Sequence, residues 1–298
     1  MLEIIEMKAV VNHQAAHPTL WDGICNSKLL ALIVCLCLSA SIKGQTCEWN
    51  SSRFHHGERI NYDIYYKWGL IFSKAGSASF EMSDTAWQSQ NAWRYHLLFH
   101  SAGMLETFYK MRDTLTVYFS PSSRILFASK HTDEGGFYLL DELSFSRIGS
   151  KTSIRSYRRT RTAVRIDTTL TTDACAYDML GAVMYLRAID WDGLRSGAEF
   201  PFLVPVGKEF VNARFRYAGL ETVKTNESAK YNAHHFYIDV YDSAFAQSKE
   251  AAEVWVGDDR NHIPVRVRAR LKVGAVEVYL KSSANLQYPS NCRIEDGK

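Results

Sequence analysis

The sequence has few residues that interrupt strands and almost no net charge. Proline occurs six times and glycine 17 times in 298 residues, and neither gathers into a linker. This composition excludes a collagen-like or low-complexity chain. The 35 basic residues are nearly balanced by 32 acidic ones, for a formal charge of +3. Such a balance argues against nucleic acid as the main partner.

The usual signatures of catalysis and metal binding are also missing. The sequence contains no C-x-x-C, no H-E-x-x-H, no G-x-S-x-G and no glycine-rich phosphate loop. His234 and His235 are adjacent within a predicted strand, so their side chains leave opposite faces and do not share a metal. His262 and Asp259 lie close in sequence, but no serine motif completes a triad. We therefore expect a protein that is not an enzyme and has neither metal nor cofactor.

One apolar run, Leu29 to Ile42, follows Lys28 and precedes small and polar residues. Its 14 residues fall short of the roughly 20 that a membrane-spanning helix needs. The run fits the hydrophobic region of a secretory signal peptide cleaved near Gly44 or Gln45. A start at Met7 or later would explain the long, partly acidic segment before it. We predict a signal peptide over residues 1–45 and one β-rich domain over 46–298, without an integral membrane span after cleavage.

The cysteines are consistent with an oxidising compartment. Cleavage removes Cys25, Cys35 and Cys37 and leaves Cys47, Cys175 and Cys292. Domain termini often lie close together, and oxidising compartments permit disulfides. The sequence therefore predicts a disulfide between Cys47 and Cys292; the alternative is three unpaired thiols.

Alternation of apolar and polar residues dominates the remaining chain. From Ile263 to Val273 every second residue is apolar, and the residues between them from position 266 onward are basic, which predicts an antiparallel strand with one solvated face. Glycines at Gly135-Gly136 and Gly149 suit hairpin turns. Further strands are predicted over 60–66, 76–82, 93–100, 114–119, 137–146, 153–157, 163–167, 209–217, 234–241, 252–256 and 276–280.

Helical spacing replaces this alternation after Asp173, a candidate N-cap, and continues to Asp190. A shorter helical turn is predicted over 103–109. The predicted fold is mainly β: a strongly curved antiparallel sheet or partly open barrel with one principal helix packed on it.

Aromatic and basic residues supply the candidate binding sites. Apolar and aromatic side chains on strands and on the helix would line a concave face that holds a ligand. They are Tyr62, Tyr66, Trp68, Leu180, Met184 and Trp255. Arg266, Arg268 and Arg270 share a strand face and would contact anionic groups. The alternatives are core packing for the aromatic residues and a solvated face balanced by acidic neighbours for the arginines.

Four motifs occur in order along the chain and together resemble the DUF3108 family. The first begins at Phe54-His55-His56-Gly57-Glu58-Arg59 and continues through Trp68-Gly69 and Lys74-Ala75-Gly76. The others are Met111-Arg112-Asp113-Thr114, Tyr177-Asp178-Met179-Leu180 and Asp259 to Val265. The resemblance implies an exported, β-rich envelope protein and assigns no catalytic residue. The closing H-I-P-V-R element is also similar to lipoprotein-carrier (Lol-type) half-barrels, which implies a curved sheet around an apolar cleft with a helix as lid.

These observations favour an exported, non-catalytic envelope protein of the periplasm or the outer-membrane periphery. It would bind an apolar or amphipathic ligand, such as a lipid or glycolipid, in the concave face of its sheet. The first alternative is a glycan-binding or envelope-assembly scaffold with exposed aromatic rings. The second is a polysaccharide hydrolase, which would need two carboxylates about 5–10 Å apart in a groove.

Overall fold

The computed structural model describes Cys47, Trp49 and residues 51–242, 245–271 and 273–295. The predicted signal peptide and its cleavage site lie outside the described residues, as does Lys272. A 3-10 turn at Ser51–Arg53 precedes the first strand. Neither helix within these ranges is long and apolar enough to cross a membrane.

One antiparallel sheet contains all the strands and confirms the predicted fold class. It follows the order β8-β7-β6-β5-β4-β3-β2-β1-β14-β13-β12-β11-β10-β9, and a short β15 pairs with β11. The sheet curves into a nearly closed barrel whose one unsealed seam separates β8 from β9. The strands are β1 (Arg59–Trp68), β2 (Ile71–Trp87), β3 (Gln90–Ser101), β4 (Arg112–Phe119), β5 (Ile125–Glu134), β6 (Phe137–Ile148), β7 (Lys151–Arg159), β8 (Val164–Thr172), β9 (Glu199–Val206), β10 (Glu209–Lys224), β11 (Lys230–Asp242), β12 (Phe245–Gly257), β13 (Pro264–Arg270), β14 (Ala275–Ala284) and β15 (Arg293–Ile294).

Two helices accompany the sheet: the short α1 (Gly103–Phe108) and the principal α2 (Met179–Ala188). Helix α2 begins five residues later than the sequence suggests, because Asp178 and not Asp173 is its N-cap. The Asp178 carboxylate accepts hydrogen bonds from the backbone N–H groups of Leu180 and Gly181. A side chain that accepts from the second and third helical amides satisfies donors that would otherwise lack a partner, so it fixes the helix start.

The main core fills the space between α2 and the strands. Leu180 and Met184 of α2 pack among apolar side chains from both halves of the sheet, including Phe119, Phe215 and Phe236. The curved sheet and its helix agree with the similarity to lipoprotein carriers. The space that they enclose is occupied by side chains, as in other small barrels.

The disulfide prediction is wrong in its partner. Cys47 pairs with Cys175 across 128 residues of sequence, and Cys292 is a buried free thiol. Cys175 follows β8 at the seam, where it anchors the segment that precedes β1. Cys292 instead packs near β11 and β12, with Trp255 and Tyr231. The prediction assumed that the two chain ends lie close together. The disulfide instead depends on the segment after β8, which brings Cys175 next to Cys47.

Candidate functional site at the barrel seam

A pocket lies where the barrel fails to close. Its walls come from β4 to β7 on one side, β9 on the other and the N-terminus of α2. Its volume is about 90 Å³, less than the roughly 150 Å³ of an apolar cavity that holds one benzene molecule. The lining residues are Leu115, Ala128, Ser129, Lys130, Asp141, Leu143, Ser156, Arg158, Asp178, Met179, Val204, Pro205, Val206 and Gly207. We call this cavity the seam pocket.

The seam itself is bridged at only a few points. The Tyr177 N–H donates to the Leu203 carbonyl (2.9 Å), and the Leu203 N–H donates to the Cys175 carbonyl (2.8 Å). These bonds attach the segment before α2 to the edge of β9. Farther along, Gly207 lies against Ile166 of β8. No hydrogen-bond ladder joins β8 to β9 in the described ranges, so side-chain contacts and this short bridge hold the two edges together.

One wall of the pocket carries a row of charged side chains. Lys130 is paired in register with Asp141, and Asp141 with Arg158, so the three side chains lie side by side across β5, β6 and β7. The Arg158 Nε donates to Asp141 Oδ1. Lys130 is buried although it lies on a strand of the barrel wall. The row combines two cations with one carboxylate, beside the apolar side chains of Leu115 and Leu143.

Asp178 contributes the second carboxylate of the pocket. Its Oδ1 accepts from the Gly181 N–H (3.0 Å) and its Oδ2 from the Leu180 N–H (3.1 Å). Burial raises the pKa of Asp178 to about 6, although these helix amides act in the opposite direction. Both oxygens are engaged by the helix, so the residue has a structural role whether or not a ligand is present.

A second polar cluster is buried at the other end of the barrel. The Arg187 guanidinium binds Glu58 with two hydrogen bonds (2.6 and 2.8 Å), and both side chains are completely buried. Burial alone lowers the pKa of Arg187, but the Glu58 carboxylate more than offsets this and raises it above the ordinary value. The guanidinium also donates to the Asn261 carbonyl and covers the Phe54 ring. This cluster ties α2 to the segment before β1 and to the β12–β13 turn.

His262 completes that cluster. Its Nδ1 lies 2.8 Å from the Arg187 carbonyl, its Nε2 lies 3.0 Å from Arg53 Nη1, and its ring stacks on Trp191. Arg53 has only donors, so Nε2 accepts and Nδ1 carries the proton, which is the neutral form. Burial, helped by the Arg53 charge, lowers the pKa of His262 to about 3. The cluster does not line the seam pocket. Its contacts hold α2 in place, which is a structural role.

The six predicted lining residues do not share one cavity. Leu180 and Met184 belong to the main core. Tyr62 is buried in a separate cluster, where its hydroxyl donates to the Pro264 carbonyl (2.9 Å). Trp255 stacks on His235 in a third cluster.

The other two predicted lining residues lie near the β1–β2 turn. Tyr66 is half-buried, and Trp68 is more than half exposed. None of the six belongs to the pocket wall, whose α2 contribution comes from the neighbouring Asp178 and Met179.

The predicted anion-contact residues are paired with carboxylates of the protein. Arg266 and Arg268 both reach Glu277 (3.0 and 3.4 Å), and Arg270 lies 3.4 Å from Glu253. Alternation along β13 placed the three on one face, as the sequence indicates. Acidic neighbours nevertheless balance their charges. This agrees with the alternative interpretation, a solvated face, and not with a site for anionic groups.

Sequence reasoning missed the residues that line the seam pocket. The charged row lies on three strands that are separate in sequence, and only their register brings its members together. One signal was present: Lys130 lies at an inward position in the alternating run from Ile125 to Glu134. A cation at a core-facing position indicates a buried partner or a ligand.

The fold and the pocket define the class of protein: a nearly closed antiparallel β-barrel, filled by one helix and open at a single seam. Within that class, the chain belongs to the family described as protein of unknown function (DUF3108), whose model matches residues 61–281. This confirms the resemblance found in the four motifs. No curated protein matches the chain.

Two solved structures match the chain at low sequence identity. A β-barrel-like protein of the domain of unknown function DUF1849 from Brucella abortus is 10% identical with a TM-score of 0.52. The match covers 78% of this chain and 98% of that one. A candidate lipoprotein from Parabacteroides distasonis ATCC 8503, also 10% identical, has a TM-score of 0.31 over 80% of this chain and 100% of that one. The first likeness supports the barrel-like fold.

Proposed function

We propose that this protein is an exported, non-catalytic component of the cell envelope that binds an amphipathic molecule at the seam pocket. The ligand would have one apolar chain and an anionic head. The observation that carries the proposal is the pocket beside the seam, in which the row Lys130, Asp141 and Arg158 lies among apolar residues of β4, β6 and β9.

The chemistry of the pocket lining selects the ligand class. Leu115, Leu143 and Val204 would contact an alkyl chain, and burial of apolar surface favours its entry. The N–H groups of Lys130 and Arg158 would bind the oxygen atoms of an anionic head, while Asp178, the second carboxylate, is engaged by the helix amides. Apolar walls with a few convergent polar groups are typical of small-molecule sites.

Binding requires the seam to widen, because the pocket of about 90 Å³ is smaller than an extended alkyl chain. The edges of β8 and β9 are joined by side-chain contacts and not by a ladder. Opening them therefore breaks few backbone hydrogen bonds. Pro201 and Pro205 on β9 fit this arrangement, since proline in a sheet is found on edge strands, where no ladder bond is lost.

Two observations support export. The segment Leu29 to Ile42 has the length and flanks of a signal peptide. The disulfide Cys47–Cys175 is of the kind that oxidising compartments permit and the cytosol rarely does.

The direct test is equilibrium binding of dodecanoate, with uncharged dodecanol for comparison. Ala128 lines the pocket, so Ala128→Leu fills part of it; Ala92→Leu is the matched control, a buried alanine on β3 away from the pocket. We expect wild-type protein and the control to bind dodecanoate more tightly than dodecanol, and Ala128→Leu to bind it at least tenfold more weakly. Absence of binding to wild type, or equal loss in both folded variants, would refute the proposal.

A polysaccharide hydrolase is the second candidate, because Asp141 and Asp178 line the same pocket. Glycoside hydrolysis uses two carboxylates that flank the bond to be broken. Here Asp178 caps α2 and Asp141 binds Arg158, which gives each a structural role. Release of reducing ends from envelope polysaccharide that Asp141→Asn abolishes would favour this candidate over the binding protein.

A further inference from the structure

Exposed apolar side chains gather at one end of the barrel. Because neighbouring strands are antiparallel, the β1–β2, β5–β6, β7–β8 and β13–β14 turns all open at the same end. Among the described residues, ten large apolar side chains are exposed. Ile148 lies at the opposite end, in the β6–β7 turn, and Leu220 lies along β10. The other eight are at the shared end: Trp68, Leu70, Ile71, Phe72, Tyr109, Phe137, Val164 and Val273.

Five of these side chains form one protruding surface on the β1–β2 and β13–β14 turns. They are Trp68, Leu70, Ile71, Phe72 and Val273, with exposures of 54, 106, 51, 43 and 51%. We call this surface the apolar tip. Leu70, in the β1–β2 turn, is fully exposed. A contiguous group of exposed apolar side chains is unusual on a protein surface and marks an interaction site.

Contacts within the β1–β2 hairpin and between the two turns hold the apolar tip in place. The Tyr66 hydroxyl donates to the Val273 carbonyl (3.0 Å), and the Tyr65 ring stacks on Phe72 at 4.9 Å. Gly274 has a φ of +75°, and a Cβ there would lie 2.3 Å from the Lys67 carbonyl oxygen. The backbones of the two turns therefore approach as closely as glycine allows.

The charge around the apolar tip has one sign. The segments 64–76 and 269–276 contain four basic residues, Lys67, Lys74, Arg270 and Lys272, and no acidic residue. Lys67 is exposed beside Trp68. Lys74 and Arg270 reach Asp63 and Glu253 on the barrel wall. Elsewhere at this end, Glu106 is paired with Arg112 and Asp133 with Arg161.

We propose that the apolar tip inserts into the interface of an anionic lipid bilayer. A convex apolar summit, a tryptophan beside it and flanking cations match the three layers of such an interface: acyl chains, carbonyl region and charged headgroups. Basic residues near an anionic surface add electrostatic attraction to the apolar contact. The proposal does not depend on ligand binding at the seam pocket, and the two are tested separately.

The test is flotation with vesicles of phosphatidylcholine alone and of phosphatidylcholine with 30% phosphatidylglycerol. The variant Leu70→Ser/Ile71→Ser removes two apolar side chains from the tip. Leu220→Ser/Ile148→Ser is the matched control: it changes the same residue types away from the tip, at positions that are also more than half exposed. All variants are made in the same chain, so any contribution of residues 29–42 is common to them.

We expect the control to float with anionic vesicles like wild type, the tip variant to lose at least tenfold in binding, and Lys67→Gln to lose several-fold. Bromine-labelled acyl chains should quench tryptophan fluorescence in wild type and much less in Trp68→Phe. Equal binding by the tip variant and the control, or quenching that does not depend on Trp68, would overturn the proposal. Dodecanoate binding should be unchanged in the tip variant, which separates this result from the proposed function.

Discussion

The ion pair between Arg187 and Glu58 depends on both partners, because neither side chain is accessible to water. Glu58→Gln leaves the guanidinium charged and buried without a counter-ion. We expect a loss of about 3–5 kcal/mol in the free energy of unfolding, measured with urea. The double variant Glu58→Gln/Arg187→Met removes the uncompensated charge and should recover part of that loss.

An exposed ion pair provides the comparison for this prediction. Arg155 and Asp167 form a two-bond pair on the surface of β7 and β8, with about half of each side chain exposed. Arg155→Gln should leave the unfolding free energy within error, since solvent screens such pairs. A similar loss in both variants would show that the buried location of the Glu58 pair carries no special energy.

His262 should make the protein less stable in acid. Its pKa is about 3 in the folded state and 6.5 when unfolded, so between these values the unfolded chain binds a proton that the folded protein excludes. Its contribution is fully present above pH 6.5 and is lost as the pH falls towards 3, by at most about 1.4 kcal/mol per pH unit. Asp178 acts in the opposite direction, because its raised pKa favours folding in acid.

The measurement is therefore a difference between two proteins. Asn at position 262 does not titrate and tolerates the φ of +51° found there. Urea unfolding of wild type and His262→Asn from pH 7 to 4.5 should give a steeper decline in wild type. His131→Asn, at an exposed position, is the control. Parallel pH profiles for wild type and His262→Asn would show that the histidine ionises freely in the folded state.

Few of these single-residue roles could be read from the sequence. Glu58 and His262 lie in motifs that carried the family resemblance, yet nothing in them indicates a contact with Arg187, 129 and 75 residues away. The opposite orientations of His234 and His235 were predicted correctly. His234 reaches Trp191 and Asp258, while His235 stacks on Trp255. Alternation within one strand predicts the sheet face on which a side chain lies. Its contacts with residues far away in sequence depend on the fold.

At the level of elements, Gly181 determines how closely α2 approaches the barrel wall. A Cβ at this position would lie 2.4 Å from Ile125 Cδ1 and 2.7 Å from Asp178 Oδ1. Alanine favours helices over glycine by about 1 kcal/mol, so propensity alone predicts stabilisation by Gly181→Ala. We expect the opposite, a loss of about 1–3 kcal/mol by overpacking, measured by urea unfolding.

A second substitution separates overpacking from other effects. Ile125→Val removes the Cδ1 atom that the new methyl group would meet, so Gly181→Ala/Ile125→Val should be more stable than the sum of the two single variants predicts. Additive losses would show that the contact with Ile125 does not limit the helix position.

The sequence interpretation missed β5 and β9 for two different physical reasons. In β5, the inward positions include Lys130, Thr132 and Glu134, so the alternation of apolar and polar residues is obscured. In β9, two prolines interrupt a short run, and proline argues against a strand except at a sheet edge. Strands with clean alternation, such as β13, were predicted within a few residues. Strand β5 contributes Lys130 to the charged row, and β9 contributes the far wall of the seam pocket. The two-residue β15 was missed as well.

At the scale of the whole molecule, the seam pocket and the apolar tip lie towards the same end of the barrel. Val206 and Gly207 line the pocket at the C-terminal end of β9. The β1–β2 turn lies at the same end of the barrel. Insertion of the tip would bring the seam near the lipid surface. The curved sheet and its helix followed from composition and alternation, whereas the position of the gap depends on where β8 and β9 fail to pair.

The most direct test of the central claim, that the seam holds an amphipathic molecule, is native mass spectrometry of protein purified from its own host without detergent. The account predicts one retained single-chain anionic amphiphile per protein molecule, released by organic solvent and rebound by wild type and Ala92→Leu but not by Ala128→Leu. Protein that carries no such molecule and takes up none from a total envelope lipid extract would contradict it.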